Sequence, residues 1–135
     1  MGSSKLRVNV DGGARGNPGP AAIAVVIADP DGGVLEERGE AIGPATNNVA
    51  EYRALLLGIE RAGELGASEL ELVGDSELVV RQVRGEYKVK DETLRGLHAQ
   101  VRKALEGFEG WSIEHVRRDQ NSEADRLVNE VLDSA

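Results

Sequence analysis

Four acidic residues lie where a predicted strand ends or a predicted helix begins. Asp11 ends the first strand and Asp75 follows the fourth, whereas Glu51 and Asp125 each fall in the first turn of a helix. Short elements around one sheet can bring all four ends to a common edge. Carboxylate oxygens suit hard divalent cations such as Mg²⁺, and two such ions about 3.5–4 Å apart can activate a water and stabilise the leaving oxygen in a phosphoryl displacement. The four acids therefore indicate a metal-dependent phosphoryl-transfer site.

Each acid also has a structural interpretation, because acids are common in turns and in the first turns of helices. Asp11 precedes a pair of glycines, which is favourable turn chemistry. Taken singly, the acids leave metal binding and local structure as alternatives. The candidates for helix capping are Asn48 with Glu51, Ser122 with Asp125, and Asp75 before the helix that follows it.

Hydrophobic periodicity predicts the elements that would position these acids. Alternation and β-branched runs predict five strands, the first three forming an antiparallel meander, and three- and four-residue periodicity predicts four helices. The first strand is expected to stop at Gly12-Gly13. The order βββαβααβα gives an α/β domain with a mixed sheet flanked by helices. The predicted strands cover 5–11, 21–28, 34–42, 70–73 and 111–116, and the predicted helices cover 48–65, 76–83, 91–105 and 121–132.

Length and composition bound the architecture. The 135 residues suit one domain, predicted over 5–135, and residues 1–4 are expected to be a disordered tail or a tag remnant. No apolar run is long enough to span a membrane or to form a signal peptide, so we expect a cytoplasmic protein without a membrane partner. The absence of cysteine from the sequence excludes disulfides, thiolate zinc sites and a cysteine nucleophile.

The charge balance argues against a nucleic-acid partner. With 24 acidic and 16 basic side chains, the formal net charge is −8, whereas nucleic-acid binders usually present a basic surface. Residues 81–103 are the exception, because seven basic and three acidic residues give this segment a local charge of +4. The segment is either a surface for a nucleic-acid backbone or a solvated helix face.

Four short motifs run through the chain in order: DGGARGNPGP at 11–20, TNNVAE at 46–51, GDS at 74–76 and NSEAD at 121–125. Together they resemble the motifs of type 1 ribonuclease H, over nearly the whole chain. The first motif is specific and the others are weak alone. The pattern is most similar to the compact archaeal-like and bacterial subgroup, because residues 85–90 leave room for only a reduced form of the basic handle that some members carry.

The resemblance implies a ribonuclease H-like fold, with a five-stranded sheet of three antiparallel and two parallel strands. It also implies a monomeric endoribonuclease without an obligate protein partner, which hydrolyses the RNA strand of RNA–DNA hybrids and leaves 5′-phosphate and 3′-hydroxyl ends. Asp11, Glu51, Asp75 and Asp125 match the metal-binding catalytic carboxylates. In the two-metal mechanism that this implies, one Mg²⁺ on Asp11 and Asp125 activates the water. A second Mg²⁺ on Asp11, Glu51 and Asp75 stabilises the leaving oxygen, and Mn²⁺ is a possible substitute.

The resemblance further implies a surface that contacts the hybrid. Asn17, Asn47 and Asn48 match positions that contact it across the minor groove, and Thr46 matches a position near a phosphate of the DNA strand. Amides, and backbone N–H groups of Gly-rich turns such as Gly12-Gly13, can donate to sugars, 2′-hydroxyls and base edges without reading sequence. Helix capping remains the alternative for Asn47 and Asn48.

The chain departs from the family pattern at two places near the acids. Many bacterial members carry a histidine in a flexible loop before the last carboxylate, but the connection at 117–120 is short and has none. His115 falls in the fifth predicted strand and is expected to be a sheet residue. Arg118 is the better candidate to face the scissile phosphate, since a guanidinium stabilises negative charge but cannot act as a base. Glu77 stands where many relatives have glutamine, and it either weakens hybrid binding or faces solvent.

Two other functions are kept as alternatives. A non-catalytic hybrid-binding domain could share the fold, although it would gain nothing from four mutually repelling acids. A phosphatase with an aspartyl nucleophile typically carries a second aspartate two residues after the first, where this chain has Gly13. A cleavage assay distinguishes the first alternative, and hydrolysis of a small phosphomonoester distinguishes the second.

Overall fold

One mixed sheet forms the centre of the molecule. Its strands are β1 (Lys5–Ala14), β2 (Gly19–Ala28), β3 (Val34–Ala45), β4 (Glu69–Gly74) and β5 (Gly110–His115). They lie in the order β3-β2-β1-β4-β5. The first three are antiparallel neighbours, whereas β4 is parallel to both β1 and β5. The computed structural model, which describes residues 4–134, confirms the predicted α/β fold and its antiparallel meander.

Helices cover both faces of the sheet. Three of them, α1 (Asn47–Glu64), α2 (Glu77–Arg84) and α3 (Glu92–Leu105), enclose the larger hydrophobic core on one face. The last helix, α4 (Ser122–Asp133), encloses a smaller core on the opposite face. All four predicted helices are therefore present, and the acids of α1 and α4 approach the sheet from opposite sides.

β2 supplies both cores at once. Ile23, Val25 and Ile27 point into the larger core, whereas Ala22 and Ala24 point into the smaller core beneath α4. A strand that is buried on both faces gives a continuous apolar run rather than an alternating pattern. The small alanines on one side let α4 lie close to the sheet.

The prediction that the first strand stops at Gly12-Gly13 is wrong. β1 continues through both glycines to Ala14 because β2 provides partners for them, with Gly12 opposite Ile23 and Gly13 opposite Ala22. The reversal comes later, around Gly16, whose φ of +90° is the left-handed conformation that glycine adopts without strain. Asp11 therefore lies inside a paired strand, not in a turn.

Two further differences concern the connections. β3 reaches Ala45, beyond the predicted end at residue 42, because β2 pairs with it up to Gly19 opposite Ala45. A 3-10 turn over Arg118–Gln120 fills the short connection before α4. Residues 1–3 of the predicted tail lie outside the described residues, while Ser4 donates its N–H to Ser68 Oγ at 2.7 Å. None of the helices described between residues 4 and 134 is both long enough and apolar enough to cross a membrane.

An ion pair joins the edge strand β3 to α1. Arg61 donates to both carboxylate oxygens of Glu36, through Nε and Nη2, at 2.7 Å each. Both side chains are mostly shielded from solvent. The bond from Arg61, together with its charge, lowers the pKa of Glu36 below its usual value of about 4.5. A bidentate pair of this kind fixes direction as well as distance.

Replacing Glu36 by glutamine is expected to lower the free energy of unfolding by about 1 kcal/mol at pH 7. Because the pKa of Glu36 is lowered in the folded state, its contribution is present above the unfolded pKa and is lost as pH falls through the folded pKa. The difference between Glu36→Gln and wild type should therefore shrink in acid. Urea unfolding at pH 7 and at pH 3 measures both effects.

Glu40→Gln is the matched control, because Glu40 pairs with Arg38 at 3.3 Å and is more exposed than Glu36. We expect a change within about 0.5 kcal/mol for it. An equal loss for the two variants, or a Glu36→Gln loss that persists in acid, would contradict the assignment.

Candidate active site

Three of the four candidate acids meet at one edge of the sheet. Asp11 on β1, Glu51 in α1 and Asp75 directly after β4 each offer a carboxylate oxygen, and these oxygens lie within 4.8 Å of one another. Asp11 is 5% exposed and Glu51 7% exposed. Buried carboxylates this close together repel each other unless protons or cations offset their charge.

The electrostatics of this acidic cluster (Asp11, Glu51, Asp75) follow from burial. Desolvation and then the charge of Asp75 raise the pKa of Asp11 to about 7. Desolvation, followed by the charge of Asp11, also raises the pKa of Glu51 well above its usual value. Asp75 Oδ2 is buried with no hydrogen-bond partner among the described residues. A partnerless buried oxygen beside two oxygen donors fits a hard divalent cation, which takes oxygen ligands and offsets their charge.

A close approach of β1 to α1 builds this cluster. A Cβ added to Gly12 would lie 2.3 Å from the carbonyl carbon of Ala50, so only glycine fits here. The Gly12 N–H donates to Glu51 Oε1 at 2.9 Å. Glycine therefore lets the first turn of α1 lie against β1, and the bond then orients the Glu51 carboxylate beside Asp11.

Other residues perform the capping that the sequence assigned to the acids. Thr46 caps α1, because its Oγ1 accepts from Val49 N at 3.2 Å. Ser76 caps α2, because its Oγ accepts from Val79 N at 3.3 Å. The capping interpretations of Glu51, Asp75, Asn47 and Asn48 are therefore wrong. Relieved of that role, the carboxylates of Glu51 and Asp75 are available to the cluster.

Asn47 and Asn17 fasten the start of α1 to the β1–β2 hairpin. Asn47 Oδ1 accepts from Ala14 N at 2.8 Å, and Asn47 N donates to Asn17 Oδ1 at 3.0 Å. Both side-chain oxygens are thus engaged within the protein. Asn47 lines two adjoining cavities, one over the acidic cluster and one along the start of α1, and Asn17 lines the second.

Two adjoining cavities contain the remaining predicted residues. A cavity of about 460 Å³ opens over the acidic cluster and is also lined by Arg118 and Asp125. A second, of about 640 Å³, extends along the start of α1 toward the N-terminus of α3. The structure thus brings every predicted site residue to one continuous surface. The first cavity is lined by Gly12 and Gly13, the second by Asn17 and Thr46, and both by Asn47 and Asn48.

Asp125 reaches the cleft from the opposite face of the sheet and lies outside the close group of three. Its Oδ1 is 4.0 Å from Arg118 Nε, and its Oδ2 is 3.5 Å from Asn129 Nδ2. The capping box proposed for Ser122 and Asp125 does not form, since Ser122 is already the first residue of α4. Asn129 was missed by the sequence analysis, although its position one helical turn after Asp125 places it on the same face.

Glu77 and His115 are not among the residues that line the cavity over the acidic cluster. Glu77 Oε2 accepts from Arg81 Nε at 2.9 Å, and Glu77 lines a separate cavity with Arg84 and His115. His115 is the last residue of β5, paired opposite Gly74, so the prediction of a sheet residue is confirmed. Glu77 is therefore half of a helix-surface ion pair.

The basic segment 81–103 is partly used inside the protein. Arg84 Nε donates to the Ile113 carbonyl at 2.9 Å, and Arg102 Nη1 donates to the Val83 carbonyl at 2.6 Å. Arg81 pairs with Glu77 and Glu86. Arg95 donates to the nearby Lys90 carbonyl at 3.4 Å. Among the described residues of the segment, Lys88, Lys90 and Lys103 are exposed and have neither an acidic partner within 4 Å nor a side-chain hydrogen bond.

Comparisons with known proteins agree with this geometry. The family model for reverse transcriptase-like proteins matches residues 9–131. Over 97% of its length the chain is 49% identical to ribonuclease HI from Halobacterium salinarum, and it spans 66% of that relative. The crystal structure of RNase H1 from the same archaeon superposes with a TM-score of 0.95 at 46% identity, over 97% of this chain and 99% of the other. This chain belongs to the type 1 ribonuclease H family.

A second ribonuclease H structure includes nucleic acid. LC11-RNase H1, crystallised in complex with an RNA/DNA hybrid, superposes with a TM-score of 0.91 at 44% identity, over 96% of this chain and 97% of that one. The ribonuclease H fold expected from the motifs is therefore present across nearly the whole described chain.

Gly12→Ala is expected to lower the free energy of unfolding by about 2–3 kcal/mol, because the new Cβ would overlap the Ala50 carbonyl. It should also weaken Mg²⁺ binding, since β1 and α1 must separate to admit the methyl group. Gly13→Ala is the matched control, because its Cβ would meet only Val128 Cγ1 at an ordinary 3.7 Å. Urea unfolding and calorimetric Mg²⁺ titration of both variants test this. If the two variants had equal unfolding free energies and equal Mg²⁺ affinities, the close approach of Gly12 to Ala50 would not be needed for stability or for Mg²⁺ binding.

The metal-free protein is expected to lose stability as pH rises from about 4 to 7. The folded pKa of Asp11 is raised from 3.8 to about 7, so the folded state holds a proton that the unfolded state releases, and rising pH favours unfolding. Asp11→Asn removes the buried ionisable group, so this loss of stability with rising pH should disappear. The variant should be more stable than wild type at pH 8 in EDTA, by about 1 kcal/mol or more. Thermal unfolding across this pH range provides the measurement.

Mg²⁺ should reverse that order, because it stabilises only a protein that retains its binding site. Asp31→Asn, which removes an exposed acid in the turn between β2 and β3, should follow wild type in both conditions. If the melting temperature of wild type in EDTA did not change between pH 4 and pH 7, the raised pKa of Asp11 would be contradicted.

Proposed function

We propose that this protein is an endoribonuclease that hydrolyses the RNA strand of RNA–DNA hybrids and leaves 5′-phosphate and 3′-hydroxyl ends. The observation that carries the proposal is the buried group of Asp11, Glu51 and Asp75. It lies at the floor of a cleft in a chain that superposes on a ribonuclease H1 solved with an RNA/DNA hybrid. A protein that only binds hybrids would gain nothing from burying acids that repel one another.

The acids would hold two Mg²⁺ ions, with Mn²⁺ as a substitute. Asp11, Glu51 and Asp75 would hold one ion, and Asp11 and Asp125 the other. When bound, divalent cations supply Lewis-acid stabilisation of the attacking water and of the leaving 3′-oxygen. The partnerless Asp75 Oδ2 and the all-oxygen donor set support this assignment.

The protein itself contributes orientation and charge. Gly12 N–H holds Glu51 in place through its Oε1. Burial and the charge of Asp75 raise the pKa of Asp11 to about 7, and a bound cation would favour the ionised carboxylate that serves as its ligand. Arg118 stays exposed beside Asp125, where its guanidinium would face the scissile phosphate and offset developing negative charge without acting as a base.

The adjoining cavity would receive the hybrid. Asn17, Asn48 and Thr46 line it with amide and hydroxyl groups, which suit 2′-hydroxyls, sugars and phosphates rather than a base code. The oxygen of Asn47 is committed to Ala14 N, so only its NH₂ group remains for substrate. The Gly12 N–H is likewise committed to Glu51, so Gly12 shapes the site rather than donating to the hybrid.

The deciding experiment is digestion of a labelled RNA–DNA hybrid beside double-stranded RNA and double-stranded DNA, with Mg²⁺ and with EDTA. We expect Mg²⁺-dependent cleavage of the RNA strand of the hybrid, giving ends that a 5′-phosphate-dependent exonuclease accepts. Asp75→Asn should fold normally and abolish cleavage. Asp31→Asn, far from the cleft, should cut at the wild-type rate.

Two results would overturn the proposal. One is the absence of RNA-strand cleavage by folded wild type in Mg²⁺ or Mn²⁺. The other is near-wild-type cleavage by Asp75→Asn, which would remove Asp75 from the site. Hydrolysis of a small phosphomonoester without nuclease activity would point instead to a phosphatase.

A further inference from the structure

Asn121 is a buried polar residue with no role in the proposed chemistry. It lies between the 3-10 turn and α4 and is 2% exposed. Its Nδ2 donates to the Val10 carbonyl at 2.9 Å, and its Oδ1 accepts from Asn9 Nδ2 at 3.0 Å. A buried amide that makes directed bonds at both ends fixes its own position in three dimensions.

The position of Asn121 relative to the helix is unusual for its residue type. It is the N-cap of α4, where an asparagine side chain normally accepts from the first turn of the helix, yet here the side chain makes no capping bond. It points to β1 instead. The parallel pairing of β1 with β4 ends at Asn9 opposite Val73. Val10 follows Asn9 in β1, and its carbonyl accepts from Asn121 instead.

These bonds link two of the candidate acids. On one side Asn121 holds Val10, the residue before Asp11. On the other side its backbone carbonyl accepts from the Asp125 N–H at 3.1 Å. Asn121 therefore connects the backbones of Asp11 and Asp125 through two hydrogen bonds, one to Val10 and one from Asp125.

Asp125 needs such a link more than the other acids do. Glu51 is bonded to Gly12, and Asp75 follows directly from a paired strand. Asp125 instead lies on α4, which packs on the sheet through the small core of Ala124, Val128 and Leu132. The ion pairs of α4 with the β1–β2 connection and with β3, Arg15–Asp133 and Arg126–Glu37, join exposed side chains and contribute little to its position. Apolar contacts are non-directional, so they fix the depth of a helix better than its position along its axis.

We propose that Asn121 is the positioning residue that sets Asp125 relative to the acidic cluster, and so determines whether the site can use its fourth carboxylate. The inference rests on the proposed function in one respect, which is that Asp125 serves the same cations as Asp11. Asn121 itself touches neither substrate nor cation. Its effect is exerted through the first turn of α4.

The test compares Asn121→Ala with Gln82→Ala. Gln82 is the matched control because it is also a buried amide, 5% exposed, and accepts from Tyr52 Oη at 2.7 Å on the other face of the sheet. Both variants should lose stability. Only Asn121→Ala should speed amide hydrogen exchange in the first turn of α4, by about tenfold or more in the metal-free protein, with β1 unchanged.

Calorimetric Mn²⁺ titration gives the second readout. We expect Asn121→Ala to lose as much Mn²⁺ affinity as Asp125→Asn does, on the order of 10–100-fold, as for residues that orient metal ligands. The double variant should lose no more than Asp125→Asn alone, because the two changes act through one carboxylate. Gln82→Ala should bind Mn²⁺ as wild type does. In the hybrid assay, kcat should fall for Asn121→Ala while KM stays near wild type.

Asn121→Asp provides a second test in case the alanine variant does not fold. It keeps the shape and can still accept from Asn9, but in its ionised form it cannot donate to the Val10 carbonyl. The negative charge of that form alone would strengthen cation binding, so a loss of Mn²⁺ affinity in the folded variant, measured at a pH where the new carboxyl is ionised, points to a change in position.

The outcomes separate the two proposals. Unchanged exchange in α4, unchanged Mn²⁺ affinity, or a further loss in the double variant would overturn the role of Asn121. A wild-type protein that binds Mn²⁺ and shows these effects but does not cleave the hybrid would overturn the proposed function alone.

Discussion

The contact between β1 and the first turn of α1 is the constraint on which the site depends. It requires a residue without a side chain at Gly12, since a Cβ there would overlap the Ala50 carbonyl. It also joins the Gly12 N–H to Glu51. Without either the space or the bond, Glu51 is expected to move away from Asp11, and Asp75 alone would not make a site. The fastening of α1 by Asn47 and Asn17, and its capping by Thr46, all support this contact.

The site and the fold make opposing demands on charge. Asp11 and Glu51 are nearly inaccessible to solvent, and burial raises the pKa of both because it disfavours their ionised forms. Functional sites commonly carry such a cost in stability. Under the proposed function, divalent cations offset the acids when a substrate phosphate arrives. With a net charge of −8, hybrid affinity should then depend strongly on divalent metal and on salt.

The sequence predicted the order and type of the five strands and four α-helices found among residues 4–134, because most have local periodicity and β2 is a β-branched apolar run bounded by turn residues. It also identified the acids that meet at the sheet edge, because each lies both at the end of a predicted element and in a motif of the family. The errors share one cause. Gly12-Gly13 resembles a turn locally, but its role is set by Ala50, which approaches from another element. Likewise, Arg84 and Arg102 are bound to carbonyls of distant residues, which a count of charges along the chain does not reveal. The bond from Asn121 to Val10 leaves no trace in periodicity for the same reason.

The parallel pairing of β1 with β4 has a consequence for how the acidic cluster comes into existence. Residues brought together there, such as Arg7 and Glu71, are 64 positions apart in the chain. The β1–β2–β3 meander can form from local contacts, but it contains only one of the acids. The cluster is complete only after α1 has crossed the sheet and β4 has paired beside β1, contacts that carry a large cost in loop closure. The acidic cluster is therefore a property of the assembled topology, and no local fragment of the chain contains it.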